Sequence, residues 1–384
     1  MCALDSANAQ TQSPAGGSAA TTHKAWYETI SLRGYAQLRY NQLGATNSKL
    51  VSDQGDKSIG GNNSFFLRRA RLVVTAQPTD MVTVYIQPDF AVTPVSPGPG
   101  NFLQVRDLYA DVFLTQDKSS RLRFGQSKVP FGFENMQSSQ NRLPLDRDDA
   151  LNTAAKDERD MGVFYYWAPP EIRTRFKMLV DSGLKGSGDY GVFALGAYNG
   201  QTANQPEANR TVHTVSRLTY PFQIFGEQIL EASIQGYSGK YVVTKKDGTG
   251  GLTEVLDHRV AASLIYYPQP FGVQAEYTIG KGPEYNIGPN IVEDKALAGG
   301  YVLVSYKYDD VIPFVRRQTY RGGRKHDVNA IRYEVDESEV GVEWQLNKAF
   351  ELTAMYVDST RTNPKVLTQR EHGRLARLQA QWNY

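Results

Sequence analysis

Apolar and polar residues alternate at a period of two through most of this 384-residue chain, and that regularity confines it to β-structure. In the last segment Ala376, Leu378, Ala380, Trp382 and Tyr384 share one face, while Arg377, Gln379, Gln381 and Asn383 share the other. The pattern recurs in Val82, Val84 and Ile86 against Thr83, Tyr85 and Gln87. It recurs again in Val273, Ala275, Tyr277 and Ile279 against Gln274, Glu276 and Thr278, and in Val340, Val342, Trp344 and Leu346 against Glu339, Gly341, Glu343 and Gln345. Strand side chains point alternately to opposite faces, so each segment has one apolar and one polar side. Two architectures bury such faces: a sandwich with the apolar sides together, or a closed barrel with the apolar side turned to lipid.

Composition removes other classes. No stretch approaches the ~18 to 20 uninterrupted apolar residues that a membrane-spanning helix needs, and mean hydropathy is −0.46. The 23 Tyr and 16 Phe suit belts where an amphipathic ring sits between lipid and water. A net charge of +2 gives no overall attraction to nucleic acid, so functional charge has to be local. The single cysteine, Cys2, excludes an intrachain disulfide framework and a Cys-based zinc site. Ala7-Asn8-Ala9 resembles the small-residue end of a secretory signal, so residues 1–26 are expected to be a signal remnant and flexible tail.

Connection lengths favour the barrel. Short links such as Gln77-Pro78-Thr79-Asp80, Gln116-Asp117-Lys118-Ser119 and Asn347-Lys348 alternate with long ones at about 41–63, 127–159 and 242–255, the order of inner turns and outer loops in a membrane barrel. Strands are expected near 27–40, 64–77, 80–91, 102–115, 120–127, 160–168, 189–199, 210–222, 227–241, 256–267, 271–282, 295–308, 310–322, 331–346, 349–360 and 373–384. Sixteen strands over 27–384 bring the ends together antiparallel. Residues 171–184 read as a helical excursion on the periplasmic side, with Ile172, Phe176 and Leu179 at helical spacing before Gly183. An alternating final strand ending in Tyr384 resembles the aromatic C-terminal signal of bacterial barrels.

Three segments together resemble the phosphate-selective porin O and P family: Ser64-Phe65-Phe66-Leu67-Arg68-Arg69-Ala70-Arg71-Leu72, Leu122-Arg123-Phe124-Gly125-Gln126-Ser127-Lys128-Val129-Pro130-Phe131-Gly132, and Ala197-Tyr198-Asn199-Gly200 followed by Arg217-Leu218-Thr219-Tyr220-Pro221-Phe222. The resemblance spans about residue 30 to 384. It implies an all-β, 16-stranded antiparallel transmembrane β-barrel in the outer membrane of a Gram-negative cell. It also implies a third loop folded into the pore, a homotrimer, and passive diffusion of small hydrophilic solutes with a preference for anions such as phosphate.

Arg and Lys favour anion passage through a narrow polar channel because they replace lost hydration at reduced dielectric, and Arg forks onto oxyanions. Alternation turns Arg69, Arg71, Arg121 and Arg123 inward. With Lys128 at the start of the long loop, and Arg217, Arg259 and Lys307 on later strands, they make up a candidate anion path. The competing reading pairs them with Asp107, Asp111, Glu231, Glu276, Glu339 and Glu343 to stiffen the wall. The long loop carries Arg142, Asp146, Arg147, Asp148 and Asp149, where a constriction would be built. Those acids lack the Gly and Glu of a calcium loop, so salt bridging is expected there, with no metal or cofactor. The five histidines are scattered without catalytic spacing, so no enzyme activity is expected. Besides a pore, a plugged outer-membrane or surface-exposed binding protein and a secreted soluble sandwich remain open.

Overall fold

A computed structural model describes residues 25–43, 64–92, 102–155, 159–244, 252–363 and 366–384. Residues 1–24 of the supposed signal remnant and tail, and parts of the loops at 41–63 and 242–255, lie outside these residues. The strands are β1 Ser31–Leu43, β2 Ser64–Thr79, β3 Val82–Val92, β4 Phe102–Phe113, β5 Ser120–Lys128, β6 Arg159–Trp167, β7 Phe193–Tyr198 and β8 His213–Gln223. They continue as β9 Ile229–Thr244, β10 Leu252–Tyr266, β11 Phe271–Asn286, β12 Ile291–Tyr306, β13 Val311–Gly323, β14 Arg332–Asn347, β15 Phe350–Asn363 and β16 Val366–Asn383. Each pairs antiparallel with its sequence neighbour, and β1 pairs with β16, so the sheet closes into the sixteen-stranded barrel.

The seam is in register from Tyr35 opposite Asn383 to Leu43 opposite Leu375. It is finished by reciprocal backbone bonds between Gly34 and Tyr384, at 2.6 and 3.0 Å. A Cβ on Gly34 would lie 2.4 Å from both the Arg71 carbonyl and the Tyr384 ring, so only glycine fits here.

Several boundaries differ from the sequence expectation. Trp26–Thr29 forms a 3₁₀ turn, so β1 begins at Ser31. β7 begins at Phe193 because Asp189 and Gly191, the latter at φ +77°, build a turn before it. β11 and β12 run on to a four-residue link, 287–290, with Asn286 opposite Ile291. The short-then-long order of links is therefore clearest in the first half of the barrel.

Alternation sorts the two faces. Leu32, Phe65, Leu103, Leu195, Leu218, Ile234, Leu264, Val302, Val315 and Leu378 are exposed on the outer wall, as a lipid-facing surface requires. At the short-turn end, Trp167, Phe193, Tyr220, Phe222, Phe271, Tyr306, Trp344 and Trp382 are exposed near strand ends, which builds one aromatic belt.

Among the described residues, three α-helices lie off the wall: α1 Phe133–Met136, α2 Asp149–Ala154 and α3 Pro170–Asp181. Pro170 suits the first turn of α3, and Gly183, at φ +67°, follows its end. Ile172, Phe176 and Leu179 are its buried face, packed with Phe133, Ile229, Ile265 and Tyr267. Each such side chain contributes about 2 kcal/mol on burial, which fixes α3 across the short-turn mouth.

Candidate functional site: the inner wall and the inturned loop

The β5–β6 connection turns into the barrel instead of away from it. Its apolar residues make two anchors, since Val129, Phe131, Leu151 and Ala154 pack with Phe164, Tyr166, Val215, Tyr237 and Ala261. Leu143 and Leu145 pack with Tyr301, Leu303, Ile312, Phe314, Met355, Val357 and Leu375. The loop therefore touches walls that are far apart around the circumference.

Polar contacts do the same. On one side Arg316 of β13 donates to both oxygens of Glu134, at 2.9 and 3.1 Å, and also holds Glu339 of β14. Nearby, the Phe133 amide donates to Glu276 of β11, the Asp149 amide to Gln318 at 2.9 Å, and Arg259 to Thr153 Oγ1 at 2.8 Å. On the other side Tyr35 meets Ser139, Gln37 donates to the Ser139 carbonyl at 3.2 Å, and Arg71 reaches Ser139 Oγ at 3.1 Å.

That second side carries a concentration of positive charge. Asp146 Oδ2 accepts from Arg39 at 2.8 Å and Arg377 at 2.5 Å, while Oδ1 accepts from Arg68 at 3.2 Å. Burial alone would raise the Asp146 carboxyl, but Arg39, Arg377 and Arg68 hold it well below the usual carboxylate range. Arg69 stands beside them and donates to neutral Gln37 at 2.8 Å, with its Nε buried and unpartnered.

The sequence-selected cations divide by partner. Arg71 is paired with Asp89 at 2.8 Å, and Arg121 with Asp189 at 3.0 Å. Arg123 forks onto Asp111 at 2.7 and 2.9 Å with its guanidinium 3.7 Å from the centre of the Tyr109 ring. Arg217 meets Glu231 at 3.2 Å, and Arg259 meets Asp257 at 3.1 Å. Lys128 is turned back onto the Met136 and Gln137 carbonyls. Of the inward acids, Asp107 pairs with Arg159 and Glu343 with Lys185, so wall stiffening is a large part of what these charges do.

Lys307 does not stand on a strand as the sequence suggests. It lies beyond the end of β12, in the turn closed by Asp309 at φ +47°, where Nζ donates to the Asp309 carbonyl at 3.1 Å.

Within the loop, Arg147 donates to Asn135 at 2.8 Å, and Asp149 is 3.5 Å from Arg361. Asp148 caps α2 through the Leu151 amide. Burial and nearby Glu134 push its carboxyl up to about 7, against the pull of Arg316 and Arg147. Arg142 is buried close to Arg69.

Sequence reasoning did not select Arg39, Arg68, Arg377, Glu134 or Arg316. Arg39 and Arg377 stand on the polar face of their alternating strands and were within reach. Arg68 was not, because strict alternation turns it outward. Gln37 and Leu38 of β1 pair with Arg69 and Leu67, so Arg68 is the extra residue of a bulge in β2, which brings it inward beside Arg69.

A family model for phosphate-selective porin O and P matches residues 45–249 and 244–384. The chain belongs to that family. It is an outer-membrane porin, a channel for passive diffusion rather than an enzyme by family and fold. No curated protein matches. Among solved structures, the outer-membrane channel DcaP of Acinetobacter baumannii is 14% identical with a TM-score of 0.59, over 92% of this porin and 97% of that chain. The anion-selective porin from Comamonas acidovorans is 12% identical with a TM-score of 0.55, over 92% and 99%. OmpT of Vibrio cholerae, in its trimer form, is 12% identical with a TM-score of 0.51, over 93% and 99%. These likenesses concern the fold of the porin.

Proposed function

We propose that this porin prefers small anions, phosphate among them, and that the path runs past the cationic side of the inturned loop. The observation that carries the reading is the convergence of Arg39, Arg68 and Arg377 on one loop carboxylate, Asp146, with Arg69 beside them held by a neutral amide. A guanidinium neutralised by a fork, as Arg123 is by Asp111, offers a passing ion much less field. The anion-selective neighbour from Comamonas acidovorans is consistent with this preference.

The same reading places α3 and the tight turns on the periplasmic side and sets the outer wall against outer-membrane lipid. It assembles the chain as a homotrimer, as in the trimer form of OmpT, and assigns it no catalysis. Reversal potentials across planar bilayers in a KCl gradient test the preference. The wild-type pore is expected to favour chloride. Arg69→Gln should reduce the chloride-to-potassium permeability ratio several-fold, whereas Arg123→Gln combined with Asp111→Asn should leave it within about twofold, in line with ~1 kcal/mol for one partly screened charge. Equal effects from the two replacements would remove the distinction between paired and unpaired cations.

A further inference from the structure

We propose that Asp146 is the residue that sets the selectivity of this pore: a loop-borne internal counter-ion that occupies the arginine cluster and competes there with permeating oxyanions. The inference rests on the anion path proposed above and assigns its regulation to one side chain.

The coordination of Asp146 is that of a bound ligand. Its two oxygens receive N–H groups from three guanidiniums on three strands, Arg39 of β1, Arg68 of β2 and Arg377 of β16. Three guanidiniums converging on two oxygens, one N–H from each, would serve a carboxylate or a phosphate. The receiving groups are prepared independently of it. Arg39 is fixed by Gln379 at 2.7 and 3.1 Å and donates to the Leu145 carbonyl at 2.9 Å. Arg377 reaches Asn41 at 3.4 Å.

Arg69 adds a further cation, which donates to the neutral Gln37 amide oxygen, and the Nε groups of both Arg68 and Arg69 are buried without a hydrogen-bond partner. Buried donors left unsatisfied favour an additional acceptor. The Asp146 side chain is 16% accessible, whereas that of Arg39 has no accessible surface. Asp146, with Arg68 beside it at 13%, is thus the accessible part of the cluster, and its charge repels the anions that the arginines attract.

Asp146 is carried by a loop and not by the wall, so its removal need not disturb the strands. Asp146→Asn keeps shape and some hydrogen bonding while deleting the charge; Asp146→Ser is a second neutral form should the first assemble poorly. Ser139→Ala is the control for loosening, because it deletes neutral loop contacts to Tyr35 and Arg71 on the same side without changing charge.

Each variant is measured in planar bilayers for reversal potential in a KCl gradient, and for block of the chloride current by added inorganic phosphate or acetate. Both neutral variants should raise the chloride-to-potassium permeability ratio at least threefold and lower the half-blocking phosphate concentration about tenfold. Ser139→Ala should leave both within twofold of wild type. Phosphate and acetate blocking equally would mark a general oxyanion site, and tighter phosphate block a phosphate-fitted one; each supports competition at the cluster. Wild-type-like ratios in the neutral variants of an anion-preferring pore would overturn the assignment to Asp146 alone. Equal shifts from Ser139→Ala would also overturn it. A cation-preferring wild type would instead overturn the anion path itself.

Discussion

Arg316 ties the inturned loop to the barrel wall through a buried ion pair with Glu134, and its replacement by Met should release that end of the loop. The side chain is 1% exposed and divides its donors between Glu134 on the loop, at 2.9 and 3.1 Å, and Glu339 on β14, at 2.5 and 2.8 Å. Hydrogen bonds to charged groups contribute about 1.5–3 kcal/mol each, and breaking a buried pair by deleting one partner costs about 3–5 kcal/mol. Arg316→Met strands two carboxylates, whereas Glu134→Gln strands none, because Arg316 keeps Glu339. The first variant should therefore lose about 3–5 kcal/mol and the second about 1–2 kcal/mol, with a coupling of roughly 2 kcal/mol in the double-mutant cycle. Urea unfolding of the reconstituted protein, followed by tryptophan fluorescence, reads the energies. Open-channel current noise reads the loop. The Phe133, Thr153 and Asp149 contacts remain, so the barrel should stay closed while the noise rises in both variants. Coupling below about 0.5 kcal/mol, with wild-type noise in both, would refute the claim that this ion pair anchors the loop.

Two further expectations follow from neighbouring features. The Asp148 carboxyl, pushed up to about 7 by burial and by Glu134, is disfavoured as an anion in the folded state. Its contribution to stability is present below about pH 4 and is lost as pH rises to about 7; Asp148→Asn should flatten that part of the pH dependence of the urea midpoint, and an unchanged slope would assign it elsewhere. Gly34→Val places methyl groups where a Cβ already meets the Arg71 carbonyl and the Tyr384 ring at 2.4 Å. Closure should weaken by about 1–3 kcal/mol, seen as a larger unfolded fraction on unheated gels, and a wild-type fraction would show that the seam relaxes at no cost.

The barrel was legible because the strand period is two: once one residue of β8 or β13 is assigned to lipid, every other residue of that strand is assigned with it. The cation–acid pairs were legible only where cross-strand register makes them, as Arg123 stands directly opposite Asp111. Glu134 and Arg316, 182 positions apart, share no such signal. Nor did alternation foresee Arg68, since one bulged position reverses a face, or Lys307, since the strand stops just before it. The inward turn of the β5–β6 loop came from family resemblance, and its physical cause is the pair of apolar anchors, Phe131 with Leu151 and Leu143 with Leu145.

The partners of Asp146 come from β1, β2 and β16, so they stand on both sides of the seam. Arg39 and Arg377 are hundreds of residues apart in the chain and become neighbours only when the last strand zips onto the first. Until then the loop carboxylate has half a nest, and the entropy of closing so long a segment has yet to be offset. The constriction therefore cannot settle in an unclosed cylinder. Maturation of the filter reports completion of the wall, and a barrel stalled with its final strand unpaired would be left with its gatekeeping loop adrift.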